Sequence, residues 1–124
     1  MDTVVNFEDL IAWRRARKLA ACVYDVTREG EFARDFGLSR QMRRAAVSVM
    51  SNIAEGHERA GAAEYSRFLG IAKGSCAELR SQLYVALDVA YLDRKTFAES
   101  LEATRELGRI LGGWGSGGRN WPRP

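Results

Sequence analysis

Apolar residues recur every three or four positions along most of this chain, and apolar and polar residues never alternate over a sustained stretch. This period predicts α-helices rather than β-strands. No proline occurs before Pro122, so none interrupts a helix. We therefore predict an all-α domain over residues 1–113, with four helices at about 7–28, 39–56, 62–92 and 94–111.

The third predicted helix carries the strongest pattern. Its apolar positions are spaced alternately by four and three residues, which is the heptad seam typical of antiparallel bundles and coiled coils. The seam comprises Tyr65, Leu69, Ala72, Cys76, Leu79, Leu83, Ala86 and Ala90.

Capping residues set the expected ends of these helices. Asn6, Ser39 and Asp93 are candidate N-caps, because their side chains can accept hydrogen bonds from the first turn. Gly30 is a candidate stop for the first helix, and residues 31–38 are expected to form a loop.

The last eleven residues, 114–124, combine glycine with tryptophan and arginine. This composition predicts a flexible tail. A tail that binds a partner or stacks on nucleic-acid bases is the alternative.

Composition limits the class of protein. The chain has 124 residues, which suits one domain, and it lacks both a signal-peptide pattern and the ~20-residue apolar run of a membrane span. Two cysteines do not make a disulfide framework. We expect a cytoplasmic protein with no membrane partner.

The net charge is +3, and only three of the nineteen Lys and Arg residues are lysines. This arginine bias suits phosphate or carboxylate recognition.

Two groups of basic residues are candidates for nucleic-acid binding. The first predicted helix carries Arg14, Arg17 and Lys18, and the second carries Arg40, Arg43 and Arg44. Phosphate binding by such surfaces would be independent of sequence and sensitive to salt. Two alternatives are a solvated face balanced by Glu8, Asp9 and Asp25, and a protein interface beside apolar Phe7 and Ile11.

Small and polar residues on the second and third helices predict a homo-oligomer. Glycine inside a helix lowers its stability, so a row of small residues indicates close approach by another helix. The candidate interface residues are Ser51, Asn52, Glu55, Gly70, Gly74, Ala77 and Ser81. Asn52 and Glu55 are expected to fix helix register or a subunit contact through Arg44 or Glu78, and a ligand or RNA contact is the alternative.

The residues give no support to an enzyme. His57 is the only histidine, and the chain lacks the glycine-rich phosphate loop and the nucleophile elbow of known catalytic motifs. Cys22 and Cys76 are expected to be buried as small apolar residues. We expect no catalytic residue, no metal site and no cofactor.

Three separated motifs resemble the bacterial four-helix bundle family encoded in intervening sequences of 23S rRNA genes. They are FEDLIAW at 7–13, GLSRQMRRAAVSVMSNIAEG at 37–56 and FLGIAKGS at 68–75. The resemblance implies an antiparallel up-down four-helix bundle that assembles as a homopentamer. Met50 stands where the family usually has proline, so we expect the second helix to continue through it without a kink.

The same fold is implied for the accessory variability determinant of diversity-generating retroelements, which binds nucleic acid and partners a reverse transcriptase. The expected function is therefore a non-catalytic oligomer that binds structured RNA or DNA and is linked to rRNA or ribosomes. The alternative is a protein-interaction scaffold, such as an accessory subunit of a reverse transcriptase.

Overall fold

A computed structural model describes residues 6–59 and 61–114, with side chains to residue 112. A short 3-10 turn, Phe7–Asp9, precedes five α-helices, and the described residues contain no strand. The helices are α1 Ile11–Thr27, α2 Gly30–Arg34, α3 Phe36–Glu58, α4 Ala62–Asp88 and α5 Arg94–Trp114. The predicted all-α fold is confirmed, with four long helices and a short one.

The four long helices form a closed ring. α1 packs on α3, α3 on α4, α4 on α5 and α5 on α1, whereas no Cα atoms within 8 Å join the diagonal pairs in the described residues. Contacts link the late part of one helix to the early part of the next. A Cβ atom at Gly56, near the end of α3, would lie 2.9 Å from the Phe68 Cβ in the early part of α4. The rings of Tyr84, late in α4, and Phe97, early in α5, are 5.0 Å apart. These neighbours are therefore antiparallel.

The core lies along the axis of this ring. Its largest fully buried apolar side chains come from every α-helix except α1, which contributes mainly alanines, Leu19 and Val23. These large side chains are Phe32, Met42, Val49, Ile53, Leu69, Leu79, Leu83, Leu107 and Leu111. None of the described helices is long and apolar enough to cross a membrane.

The heptad seam of α4 is confirmed except at its last position. Six of its residues are buried and Tyr65 is half-buried. Ala90 is exposed, with a φ of 66°, because α4 ends at Asp88. The Tyr91 N–H donates to the Ala86 carbonyl at 2.8 Å and the Ala90 N–H to the Leu87 carbonyl at 2.9 Å, which is a Schellman ending.

The predicted start of the first helix was wrong. Residues 7–9 form a 3-10 turn, and Leu10 then takes an extended conformation, with ψ of 130°, before α1 begins at Ile11. The Asn6 side chain makes no capping hydrogen bond.

The predicted start of the second helix was also wrong. α3 begins at Phe36 because the Asp35 carboxylate accepts a hydrogen bond from the Leu38 N–H at 3.1 Å, and Ser39 lies buried inside the helix. Part of the expected loop forms α2, which buries Phe32. The helix continues through Met50, as expected.

The fourth predicted helix starts as expected but ends later. The Thr96 N–H donates to the Asp93 carboxylate at 2.7 Å, and this bond holds the pKa of Asp93 below its usual value. α5 reaches Trp114, so glycine at 112 and 113 does not end it. Most of the expected tail, residues 115–124, lies outside the described residues.

Replacing Ala90 with glycine should stabilise the fold. A left-handed φ costs a non-glycine residue about 1 kcal/mol, and Ala90 adopts one at 66°. We expect Ala90→Gly to raise the free energy of unfolding by about 0.5 kcal/mol or more in urea titrations, with an unchanged m-value. Ala98→Gly, on the exposed surface of α5, should instead lower it by up to about 1 kcal/mol. Equal destabilisation by both changes would contradict the left-handed ending.

Candidate nucleic-acid interface

The first basic cluster lies on the exposed side of α1. The Arg14 Nε donates to the Glu8 carbonyl at 2.8 Å, and its guanidinium pairs with the Asp9 carboxylate at 3.6 Å. The Arg17 guanidinium lies 5.8 Å from the centre of the Trp13 ring. Arg17 and Lys18 have no carboxylate within 4.0 Å in the described residues. Two of the three cations are therefore available to an anionic ligand.

The second basic cluster divides between surface and interior. Arg40 is exposed, with its guanidinium 5.3 Å from the centre of the Phe36 ring, and Arg44 is exposed. Arg43 is half-buried: its Nε donates to the Thr27 hydroxyl at 2.8 Å, and its guanidinium lies 4.5 Å from the Tyr24 ring centre. Arg43 therefore joins α3 to α1.

The two clusters do not form one patch. Arg43 contacts the last turn of α1 through Tyr24 and Thr27, whereas Arg14 lies in its first turn. Arg14 and Thr27 are thirteen positions apart, which is about 20 Å along a helix. Arg14 and Arg43 therefore lie at opposite ends of α1.

The row of small residues on α4 lies at the surface. A Cβ atom added to Gly70 or Gly74 would meet nothing within 4 Å, and Ala77 and Ser81 are exposed. No described helix of the same chain approaches these glycines, so intramolecular packing does not explain them.

A second row on α4 also faces outward. Ile71, Val85 and Val89 are 40%, 48% and 49% exposed. Between them lies Gln82, only 8% exposed, whose amide oxygen has no hydrogen-bond partner in the described structure. Exposed apolar side chains in a row leave this side of α4 partly apolar at the surface of the chain.

The polar residues of α3 lie in three different settings. The Asn52 amide donates to the Ser48 carbonyl at 2.8 Å and to its hydroxyl at 3.0 Å, and that hydroxyl bonds to Ser75 of α4. Ser51 is exposed, and Glu55 pairs with Arg59 at 2.7 Å. The expected partners Arg44 and Glu78 take part neither in these hydrogen bonds, which run from Asn52 through Ser48 to Ser75, nor in the ion pair of Glu55.

A basic groove between α4 and α5 was missed in the sequence. It has a volume of about 560 Å³, and its charged walls are Lys73 and Arg80 from α4 and Arg105 and Arg109 from α5. The sequence does contain a signal for this groove: Lys73 and Arg80 are seven residues apart on α4, and Arg105 and Arg109 are four residues apart on α5. Only the antiparallel register of α4 and α5 brings the pairs together.

Cys76 lies at the edge of this groove. Its thiol donates to the Thr104 carbonyl at 3.2 Å. Burial raises the pKa of Cys76 to about 11, and the charge of Arg80 opposes that rise. A thiol at this pKa is almost wholly protonated at neutral pH and is a poor nucleophile.

Comparison with known proteins gives the family. A sequence profile of the 23S rRNA-intervening sequence protein matches residues 8–113. The chain belongs to this family. No curated protein matches its sequence.

A solved member of the S23 ribosomal protein family, a protein of unknown function from Bacteroides thetaiotaomicron VPI-5482, has the same fold. The TM-score is 0.76 at 19% sequence identity, and the match covers 82% of this chain and 94% of the other. At that identity the likeness shows the fold alone.

The two cysteines of this chain differ in their exposure to solvent. Cys76 is buried, as expected, but the expectation for Cys22 was wrong, because it is exposed on the outer side of α1. His57 is half-buried in the last turn of α3. Within the described ranges, no three His, Cys, Asp or Glu side chains lie close enough to hold a metal ion.

Thiol labelling should separate the two cysteines. Because the thiolate is the reactive form, an exposed Cys22 should react with an aromatic disulfide reagent at pH 8, while Cys76 should react only after unfolding. We expect one fast thiol in the native protein and two in guanidinium chloride. Cys22→Ser should leave none in the native protein, and a fast native thiol in that variant would contradict the burial of Cys76.

Proposed function

We propose that this protein is a non-catalytic cytoplasmic homo-oligomer, with five chains, that binds structured RNA or DNA through its basic surfaces and is linked to rRNA or ribosomes. The observation that carries the proposal is that four exposed cations of the two basic clusters have no carboxylate partner in the described residues, namely Arg17, Lys18, Arg40 and Arg44. Membership of the 23S rRNA-intervening sequence protein family and the ribosomal family name of the solved neighbour support the proposed link to rRNA or ribosomes.

Assembly would make these dispersed cations effective. Each chain carries a net charge of only +3, which is a weak attraction for a polyanion. Five copies repeat every exposed cation around the assembly, so one nucleic acid can contact several copies at once. Contacts of this kind depend on the phosphate backbone and weaken steeply with salt.

The outward face of α4 supports assembly. Gly70 and Gly74 leave space for the backbone of another helix, and Ile71 exposes apolar surface next to them. A second copy packed on this face would fill the space at the glycines and cover exposed apolar surface.

A charge reversal on α1 tests nucleic-acid binding. Arg14→Glu, Arg17→Glu and Lys18→Glu together should abolish binding of a structured rRNA fragment at 0.1 M salt, because the change turns attraction into repulsion. Fluorescence anisotropy measures it. Arg28→Glu, Arg34→Glu and Arg67→Glu, all on exposed residues, make the matched control for net charge. Unchanged RNA and DNA binding by the α1 variant would remove this cluster from the proposal.

Light scattering during size-exclusion chromatography tests assembly. The unmodified protein should elute at about five times the 13.8 kDa chain mass. Gly74→Glu should produce monomers with unchanged helicity, because its side chain meets open space in the single chain but a neighbouring helix in the assembly. Ala98→Glu, exposed on α5, is the control. A monomer mass for the unmodified protein would contradict the packing argument.

A scaffold for another protein is the second candidate function, in the manner of an accessory subunit of a reverse transcriptase. It is favoured by Ile11, which is 56% exposed beside the basic cluster of α1. Protein purified without nuclease at low salt separates the two functions. Salt-removable absorbance at 260 nm supports nucleic-acid binding, whereas a multimer with a protein-only spectrum favours the scaffold.

A further inference from the structure

The groove between α4 and α5 concentrates positive charge that the rest of the chain does not neutralise. Of its four cations, only Arg109 has a carboxylate within 4.0 Å in the described residues, namely Glu102 at 2.9 Å. Lys73, Arg80 and Arg105 have none. Like charges repel one another, and a concave surface with walls of one sign focuses its potential on an incoming counter-ion.

Two glycines of α5 form the floor of this groove. A Cβ atom at Gly112 would lie 3.1 Å from the Lys73 Nζ, and one at Gly108 would lie 3.8 Å from the Arg80 Nη1. Both cations from α4 therefore lie across α5 where it carries no side chain. Glycine at these two positions therefore makes room for the Lys73 and Arg80 side chains, which line the groove.

We propose that this groove binds consecutive phosphates of one nucleic-acid strand. Lys73 and Arg80 are seven positions apart, or about 10 Å along α4. A row of this length is long enough to contact more than one phosphate of a strand. A single phosphate needs converging donors rather than a row. Arginine suits this ligand because its planar guanidinium binds two phosphate oxygens at once.

The groove is distinct from the clusters on α1 and α3, since all its cations come from α4 and α5. The inference rests on the proposed nucleic-acid function and adds a site to it. It also assigns a role to Gly108 and Gly112, which lie inside α5 where glycine lowers helix stability.

Salt-dependent RNA binding tests the groove. The variant Lys73→Gln, Arg80→Gln, Arg105→Gln is titrated into a fluorescein-labelled 20-nucleotide poly(U) RNA from 50 to 200 mM salt. The slope of log affinity against log salt should fall in magnitude by about 2, because each contact with a single strand contributes about 0.7. The control Arg28→Gln, Arg34→Gln, Arg67→Gln removes the same charge from exposed positions outside the groove and should keep the unmodified slope.

A second variant removes space instead of charge. Gly108→Leu keeps every cation, places a bulky side chain against Arg80, and should weaken RNA binding at least several-fold with unchanged or higher helicity. Poly-glutamate at equal charge concentration should fail to displace the RNA, and uridine monophosphate should displace it only at far higher concentration.

The outcomes separate the two proposals. If the unmodified protein binds the RNA but both groove variants match its affinity and slope, the groove proposal is overturned and the proposed function stands. Displacement by poly-glutamate would overturn the assignment to phosphate. If the unmodified protein fails to bind RNA or DNA at 50 mM salt, the proposed function fails and the groove proposal fails with it.

Discussion

Burial of one face of α4 is the interaction on which the rest of the bundle depends. α4 is the longest helix, at 27 residues, and its contacts with α3 and α5 are the most extensive in the chain. Leu69, Leu79 and Leu83 on this face are at most 2% exposed, and burying such a side chain contributes about 1.5–3 kcal/mol. A hydrogen bond also joins the turn after α4 to the start of α3. The Tyr91 hydroxyl donates, at 3.0 Å, to the same Asp35 carboxylate that caps α3. That bond raises the pKa of Tyr91 above its ordinary value.

The periodicity of apolar residues predicted which face of α4 is buried. It did not predict the ends of the helices, because single hydrogen bonds determine them. The seam of α4 follows from its heptad spacing, since only one face of a helix can pack inward. The heptad spacing also includes Ala90, but α4 ends at Asp88 and Ala90 adopts a left-handed φ, which costs a non-glycine residue about 1 kcal/mol. Similarly, Asp35 and Ser39 are both good caps in sequence. The structure uses Asp35, which lets Phe32 bury in a separate turn of helix.

In the candidate site, too, the sequence predicted neighbours within one helix but not contacts between helices. Sequence placed Arg14, Arg17 and Lys18 on one exposed face correctly, because neighbours on a helix follow from spacing. It gave no sign that Arg43 bonds to Thr27 of α1, since that partner comes from another helix. The sequence shows the two basic pairs of the groove but not their proximity, since Lys73 and Arg105 are 32 positions apart and only the antiparallel register of α4 and α5 makes them neighbours.

The two outward features of α4 are adjacent, and this adjacency links the proposed assembly to the proposed groove. Lys73 precedes Gly74, Arg80 precedes Ser81, and Ala77 lines the groove while belonging to the row of small residues. A second chain packed on that row would stand beside the groove and deepen one wall of it. A deeper wall excludes water, and charges in a water-poor cleft act more strongly on a ligand. The small residues would then serve both purposes, by letting another copy approach closely and by keeping the basic groove open at its edge. Assembly and phosphate binding would therefore reinforce each other.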